Sequence, residues 1–186
     1  MALKIFSLNV RGLRDGTKRG EIFNWPREKK ASICMLQDVH CTDETNHLWR
    51  AEWGHETVYT SYESNKAGVY FLFNNNFNLQ FQRVYTDPAG RFIICDIKAN
   101  ERPLTLANIY APNEDNPSFI QNFLDHIVDF KCEDIIIGGD FNLVMDIDKD
   151  KKGGLARTQQ NSLKIIHEMK ENLDLVDIWR IFNPDD

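Results

Sequence analysis

The sequence predicts an α/β sandwich in which two mainly antiparallel or mixed β-sheets are flanked by helices. The first observation is a run of short apolar segments at hairpin spacing across residues 57–110, separated by turns rich in Asn, Pro and Gly. The second is that segments with helical apolar spacing bracket this run on both sides. The third is length: 186 residues suffice for one domain with a core, so we expect residues 1–186 to form a single domain.

The N-terminal part predicts two strands and two helices. Residues 3–9 alternate along a strand, and a helix should follow over residues 18–30, where Pro26 should end or kink it. Residues 32–36 are a short apolar strand, and acidic residues then open a helix over residues 43–52. The apolar side of this second helix comprises Leu48, Trp49 and Trp53.

The middle of the chain is predicted to be rich in strands. β-Branched and aromatic residues between turn signals predict strands over residues 58–62, 68–73, 79–85, 91–97 and 104–109. Apolar side chains at helical spacing then predict helices over residues 117–130 and 158–172, with an acidic loop at 146–150 and a glycine pair at 153–154 between them.

One stretch organises the candidate chemistry. Residues 135–137 are three isoleucines that predict a short buried strand, which Gly138 and Gly139 should end while letting the backbone approach a neighbour closely. Asp140 and Asn142 follow directly. A polar site at the end of a strand and an ordinary Asp/Asn turn both fit this stretch taken alone.

Composition indicates a soluble globular protein inside the cell. The chain is 42% hydrophobic and 27% charged, without an apolar run that resembles a signal peptide or a membrane helix. Its four cysteines (Cys34, Cys41, Cys95 and Cys132) form no Cys-x-x-Cys pair, so free thiols are expected. The expected location is therefore intracellular, in the nucleus, the cytoplasm or both.

The net charge of −6 is unevenly distributed. Residues 4–30 contain eight Lys/Arg against three Asp/Glu, whereas residues 111–186 contain eight against sixteen. The basic segment fits contact with nucleic-acid phosphates and fits a solvated helix face equally well. The acidic loop superficially resembles a calcium loop, but it lacks the Gly and Glu of that pattern and is expected to be a solvated turn.

Four predicted strands end in polar residues that could share one rim of the sheets. These residues are Asn9, Gln37 with Asp38, Tyr110 with Asn113, and Asp140 with Asn142. Two carboxylates and nearby amides could hold one hard cation such as Mg²⁺ and leave room for a phosphate. Tyr and Asn side chains are suitable donors to phosphate oxygens as charge builds in a transition state.

The motifs at these strand ends resemble the endonuclease/exonuclease/phosphatase superfamily. The matching stretches are Leu-Asn-Val-Arg-Gly-Leu from residue 8, Leu-Gln-Asp-Val-His from residue 36, Asn-Ile-Tyr-Ala-Pro-Asn from residue 108 and Gly-Gly-Asp-Phe-Asn from residue 138. Together with residues 173–180, they are most similar to the apurinic-type endonuclease domain of the LINE (non-LTR) retrotransposon second reading frame.

This resemblance implies a DNase I-like fold and a DNA-nicking activity. It implies that Asn9 and Asp38 hold Mg²⁺, with Mn²⁺ as a substitute, and that Tyr110 contacts the scissile phosphate. Asp140 would orient or deprotonate the attacking water, and Asn142 would hold a phosphate oxygen. Arg11, Arg14 and Asn113 would bind DNA. The implied product is a nick whose 3′-hydroxyl primes reverse transcription.

The chain departs from the family pattern in two places. Asp38 stands where the family has Glu, and a carboxylate displaced by about 1.5 Å can lower a rate on the order of a hundredfold. The family's terminal Ser-Asp-His segment has no match, which predicts a C-terminally truncated domain without the last strands of its second sheet. Exposed sheet edges then favour a homodimer or a strand-swapped assembly.

Alternative functions therefore remain open at this point. One is a catalytically weak or inactive descendant that serves as a binding or interaction module. Another is a phosphoesterase of the same superfamily that acts on a phosphoinositide or a nucleotide, which the LINE-like residues outside the shared motifs disfavour. His40 matches a structural position of the family, and the four other histidines are expected in solvated or core roles.

Overall fold

The computed structural model describes residues 2–62, 67–130, 134–150 and 159–184, with the side chains of residues 147 and 148 excepted. The strands are β1 (Ile5–Asn9), β2 (Ile33–Gln37), β3 (Thr57–Thr60), β4 (Val69–Phe73), β5 (Leu79–Thr86), β6 (Phe92–Ala99), β7 (Arg102–Tyr110) and β8 (Ile135–Asp140). The helices are α1 (Gly16–Glu28), α2 (Asp43–Trp53), α3 (Pro117–Phe130), α4 (Ile147–Asp150), α5 (Gln160–Asn172) and α6 (Ile178–Phe182).

The predicted two-sheet fold is confirmed. The first sheet has the order β1-β2-β4-β3, and the second has the order β5-β6-β7-β8. Both sheets are mixed, because β1 runs parallel to β2 and β8 runs parallel to β7, while every other neighbouring pair is antiparallel. The carboxyl ends of the strands in each parallel pair therefore lie at one edge of their sheet.

The described residues fall into two compact units. The first consists of the described residues within Met1–Tyr110 and Ile127–Asp140 and contains both sheets. The second consists of the described residues within Ala111–His126 and Phe141–Asp186. The expectation of a single domain stays a prediction.

Period-two alternation in the central strands of the first sheet separates two cores. One face of β2 and β4 packs toward the second sheet, through Ile33, Met35, Val69, Phe71 and Phe73. The opposite face packs against α1 and α2, through Cys34, Leu36, Tyr70 and Leu72 with Phe23, Trp49 and Trp53. The continuous apolar runs of these strands follow from burial on both faces.

The prediction for residues 135–137 was partly wrong. β8 continues through Gly138 and Gly139 to Asp140, and the Ile136 side chain is 37% exposed. The reason is position, because β8 is the edge strand of its sheet among the described residues and lacks a neighbour on one side. The predicted close approach at the glycines is present and is described with the site.

Three smaller expectations need correction or qualification. Leu48 is 58% exposed, because the buried side of α2 is formed by Trp49 and Trp53, one helical turn apart. α1 ends at Glu28, two residues after Pro26, so the proline lies inside the last turn. The acidic stretch is not only a turn, since its end forms the short helix α4, in which Asp146 Oδ1 accepts from the Lys149 N–H at 3.3 Å.

Some sequence predictions cannot be compared with the structure. The turn at residues 63–66, Cys132, the glycine pair at 153–154 and Thr158 lie outside the described residues. The other three cysteines are buried free thiols, as expected. No helix in the described parts of the chain has the length and apolar character needed to cross a membrane.

Candidate active site

Four of the predicted polar strand ends meet in the first unit. Asn9 ends β1, Asp38 follows β2, Tyr110 ends β7 and Asp140 ends β8. The two sheets are joined here directly, because Asn9 Nδ2 donates to Asp140 Oδ2 at 2.7 Å. Asn9 and Asp140, which are 131 positions apart in the sequence, therefore lie in one polar cluster.

Asp38 lies between two further polar groups of this cluster. His40 Nε2 is 3.0 Å from Asp38 Oδ1, and the Asp38 carboxylate lies close enough to the Tyr110 hydroxyl to raise the pKa of Tyr110. Asp38 adopts φ of +57°, a left-handed conformation that Asp tolerates better than longer side chains. The shorter residue at this position therefore still presents its carboxylate to Tyr110.

The environment of Tyr110 keeps its hydroxyl protonated. Burial and the nearby charge of Asp38 raise the pKa of Tyr110, Asp140 adds to this effect, and Arg91 opposes it. A phenol whose pKa is raised above its ordinary value near 10 stays a hydrogen-bond donor at neutral pH. Such a donor suits an incoming anion.

Backbone hydrogen bonds fix the two loops that carry Asn9 and Asp38. The N–H groups of Val10 and Gly12 donate to Gln37 O at 2.9 Å and to Asp38 O at 2.6 Å. Gly12 has φ of +82°, and a Cβ atom there would lie 2.9 Å from His40 Nδ1. Glycine is thus required at this position for both backbone conformation and space.

The glycines before Asp140 position β8 against its neighbours. A Cβ atom on Gly138 would lie 2.7 Å from Met35 Sδ, and one on Gly139 would lie 2.0 Å from Ile109 O. Gly139 also has φ of +141°, which disfavours any other residue. The two glycines, which predicted a close approach of the backbone, therefore lie where β8 contacts its neighbours, and this contact sets the position of Asp140.

A buried amide pair lies beneath the cluster. Gln37 Nε2 donates to Asn108 Oδ1 at 2.7 Å, and Asn108 Nδ2 donates to Tyr70 O at 3.1 Å. Both side chains are almost completely buried. Because buried amides are costly unless they are hydrogen-bonded, this network fixes β2 relative to β7 and supports the strand ends above it.

The oxygen atoms present are chemically suited to a hard divalent cation. Asn9 contributes Oδ1, which also accepts from the Arg11 N–H at 3.1 Å, and Asp38 contributes a carboxylate. Mg²⁺ is usually held by one or two carboxylates together with waters and substrate phosphates. No group of three or more His, Cys, Asp or Glu side chains is arranged around a cation position in the described residues, as a fully protein-ligated metal would require.

Two predicted site residues belong to the second unit. Asn142 has φ of +50° and donates from Nδ2 to Ala111 O at 2.7 Å. Asn113 is exposed, and its carbonyl oxygen accepts from Gln159 Nε2 at 2.8 Å. The assignments of Asn142 to a phosphate oxygen and of Asn113 to DNA stay predictions.

The basic N-terminal segment divides into structural and exposed residues. Arg19 forms an ion pair with Glu52 at 2.6 Å, and Arg27 donates to the carbonyl oxygen of Trp53 at 2.7 Å, so these two support α1 and α2. Arg11 and Arg14 are exposed, and their assignment to DNA stays a prediction.

Sequence reasoning missed two polar neighbours of the cluster. It assigned His40 to a structural position, although its ring contacts Asp38. It did not single out Arg91, whose guanidinium lies 5.1 Å from the centroid of the Tyr110 ring. Arg91 follows a Pro-Ala-Gly turn and belongs to no recognisable motif, so the only available signal was its place at the start of a strand.

Comparison with known proteins gives one family match and several relatives. The sequence model described as "Endonuclease/Exonuclease/phosphatase family" matches residues 6–152. The Transposon TX1 uncharacterized 149 kDa protein of Xenopus laevis is 27% identical over 188 residues, covering 100% of this chain. The chain spans 14% of the length of that curated relative.

Solved structures share the fold at low sequence identity. An AP endonuclease from Archaeoglobus fulgidus superposes with a TM-score of 0.74 at 16% identity, covering 100% of this chain and 76% of that one. The endonuclease domain of TRAS1, a telomere-specific non-LTR retrotransposon, superposes with a TM-score of 0.63 at 16% identity, covering 90% and 71%. These likenesses show a common architecture.

Proposed function

The chain belongs to the endonuclease/exonuclease/phosphatase family, and from this premise we propose that it is a Mg²⁺-dependent DNA endonuclease of retrotransposon origin. The observation that carries the proposal is the contact between Asn9 and Asp140 at 2.7 Å, next to Asp38 and Tyr110, which lie close enough for the carboxylate to raise the pKa of the phenol. It assembles an amide, two carboxylates and a phenol, the residue types needed to hold a cation and a phosphodiester.

Asn9 and Asp38 are the residues that would hold Mg²⁺, with Mn²⁺ as a substitute. When bound, the cation supplies positive charge that offsets the negative charge developing on the phosphate oxygens. The strain at Asp38 and its contact with His40 at 3.0 Å fix the carboxylate before substrate arrives. Preorganisation of this kind reduces the reorganisation required during the reaction.

Asp140 would orient the attacking water and accept its proton. Its hydrogen bond to Asn9 restricts the carboxylate to one orientation. A new bond forms between the water oxygen and phosphorus, and the bond from phosphorus to the 3′ oxygen breaks. The departing oxygen takes up a proton, which leaves a 3′-hydroxyl on one side of the nick and a 5′-phosphate on the other.

Tyr110 would donate its hydroxyl hydrogen to a non-bridging phosphate oxygen. Its raised pKa supports this role, because the hydroxyl remains protonated at neutral pH. Arg11 and Arg14 would contact neighbouring phosphates. The family resemblance implies a phosphate oxygen as the partner of Asn142 and DNA as the partner of Asn113.

The retrotransposon assignment rests on two relatives. The Xenopus transposon protein matches the whole chain at 27% identity, and a retrotransposon endonuclease domain shares the fold. In such an element, a 3′-hydroxyl produced by nicking would prime target-primed reverse transcription.

A second candidate function is DNA binding without cleavage. It is favoured by Asp38, which is shorter than the family's Glu and is already hydrogen-bonded within the chain. A site of this composition could hold a phosphodiester and a cation without completing hydrolysis.

Nicking of supercoiled plasmid in Mg²⁺, with and without EDTA, tests the proposal. The expected result is nicking that EDTA abolishes and that Asp140→Ala abolishes as well. The matched control is Asp129→Ala, which removes an exposed carboxylate of α3 and should retain the unsubstituted rate. DNA binding without nicking would favour the second candidate function. If the chain neither binds nor nicks DNA, both candidate functions are contradicted.

A further inference from the structure

Arg91 stands beside Tyr110 at the rim where the candidate site lies. Tyr110 N–H donates to Arg91 O at 2.7 Å, so the start of β6 is tied to the end of β7. The Arg91 guanidinium lies 5.1 Å from the centroid of the Tyr110 ring, within range of a cation–π contact. The side chain is half-buried, which limits the positions the guanidinium can adopt.

The turn before Arg91 holds it in a fixed place. Asp87 Oδ2 accepts from the Arg91 N–H at 2.9 Å, while Asp87 O accepts from Thr60 Oγ1 at 2.6 Å. Gly68 N–H donates to Gly90 O at 3.1 Å and ties this turn to the loop before β4. Contacts from both sheets therefore brace the backbone that carries the guanidinium.

Within the part of the chain that the structure describes, no carboxylate forms an ion pair with Arg91, whereas Arg19, Arg50 and Arg102 each pair with a carboxylate. The charges of Asp38 and Asp140 raise the pKa of Tyr110, and the charge of Arg91 lowers it, so all three act at the Tyr110 hydroxyl. A guanidinium in this setting can present its planar donors to a phosphate, a geometry that arginine favours.

Resting on the proposed function, we propose that the Arg91 guanidinium binds the substrate phosphodiester next to the Tyr110 hydroxyl and is a substrate-binding residue of the site. The phosphate would then meet a donor from Tyr110 and a fork of donors from Arg91. The stacked ring and the braced turn reduce the conformational freedom that Arg91 loses on binding.

The test is the salt dependence of binding to a short DNA duplex in EDTA, so that cleavage does not enter the measurement. For Arg91→Gln, we expect weaker binding and a slope of log K against log salt that is shallower by about 1, as for the loss of one phosphate contact. Arg91→Lys should keep the slope but bind more weakly, because an ammonium cannot engage two oxygens at once.

The matched control is Arg83→Gln. Arg83 also stacks on an aromatic ring, at 3.9 Å from the Phe130 centroid, but lies outside the cluster and should retain the unsubstituted slope and affinity. If Arg91→Gln shows the same slope and affinity as the unsubstituted chain, the role of Arg91 is overturned and the proposed function still stands. If Arg91→Gln fails to fold by circular dichroism, unaltered affinity and nicking by Arg91→Lys would overturn it. An unsubstituted chain that binds no DNA would overturn the proposed function and this inference together.

Discussion

Tyr110 lies under the Arg91 guanidinium, and the nearby carboxylates of Asp38 and Asp140 both raise its pKa. Each of these groups comes from a different strand end or loop, and each is held by a further contact of its own. The side chains of the proposed site are therefore oriented by contacts within the chain itself.

Replacement of Tyr110 by Phe should lower the nicking rate by about 10²–10³-fold, because one donor to the phosphate oxygen is removed while the ring remains. Single-turnover nicking measures the rate, and a duplex-binding assay should show a much smaller change in affinity. Tyr59→Phe is the matched control, because the Tyr59 hydroxyl donates to Asp43 outside the cluster, at 3.1 Å. Equal nicking rates for Tyr110→Phe and the unsubstituted chain would argue against the assigned role.

The sequence identified the residues that end strands more readily than those that begin them. Asn9, Asp38, Tyr110 and Asp140 could be found because each follows an apolar run. Arg91 precedes its strand, and its relation to Tyr110 arises from antiparallel pairing of β6 with β7, which a single sequence does not reveal. Contact across a sheet depends on register, and register is set by tertiary structure.

Gly139 shows how one element determines the site. A side chain at this position would collide with the Ile109 carbonyl oxygen, at 2.0 Å from its Cβ atom. β8 can therefore approach β7 only with glycine here, and Asp140 is the next residue. The position of the candidate catalytic carboxylate depends on this backbone contact.

Gly139→Ala should lower the free energy of unfolding on the order of 3 kcal/mol, because β8 must shift away from β7. It should also abolish nicking through displacement of Asp140. Gly20→Ala is the control: a Cβ atom on Gly20 meets nothing within 4 Å, and alanine inside α1 should stabilise the protein by about 0.5–1 kcal/mol. Urea unfolding measures both changes, and an unchanged midpoint for Gly139→Ala would contradict the account of β8.

The N-terminus of α5 is capped from another part of the chain. Its own preceding residue, Gln159, makes no side-chain capping bond, whereas Asp115 accepts from the Ser162 N–H at 2.8 Å and from the Ser162 hydroxyl at 2.6 Å. These hydrogen bonds to Ser162 hold the pKa of the Asp115 carboxyl below its ordinary value. The helix is thereby tied to the loop before α3.

The sign of the pH dependence follows from that lowered pKa. The stabilisation by Asp115 is fully present above the pKa of the carboxyl in the unfolded chain and is lost as the pH falls through the lower pKa of the folded chain. Asp115→Asn should therefore reduce Tm at neutral pH, and the difference from the unsubstituted chain should vanish in acid. Asp125→Asn on the exposed side of α3 serves as the control. A difference in Tm between Asp115→Asn and the unsubstituted chain that is the same at neutral and acidic pH would contradict the capping role.

At the scale of the whole molecule, apolar patterning predicted most of the architecture. The apolar runs of β2 and β4 predicted two strands, and both strands are buried at the centre of the first sheet. β8 has an equally apolar run, yet it lies at an edge among the described residues. A run of isoleucines indicates a strand but not its neighbours, since strand order depends on long-range packing.

The distribution of charge over the molecule is compatible with DNA as the proposed substrate, although the net charge is −6. Arg11 and Arg14 are exposed and lie in the loop that follows β1, whose last residue is Asn9, and Arg19 and Arg27 support α1 and α2. Local positive charge next to the site can bind a phosphate backbone even when the rest of the chain is acidic.

The proposed function requires that the assembled strand ends hydrolyse DNA and leave a 3′-hydroxyl. The most direct measurement treats supercoiled plasmid with the chain in Mg²⁺ and then adds a DNA polymerase with labelled nucleotides, without any treatment of the DNA ends. The account predicts label incorporated at the nicks, none after EDTA, and none with Asp140→Ala. Intact plasmid, or nicks that the polymerase extends only after a phosphatase has removed a 3′-phosphate, would contradict it.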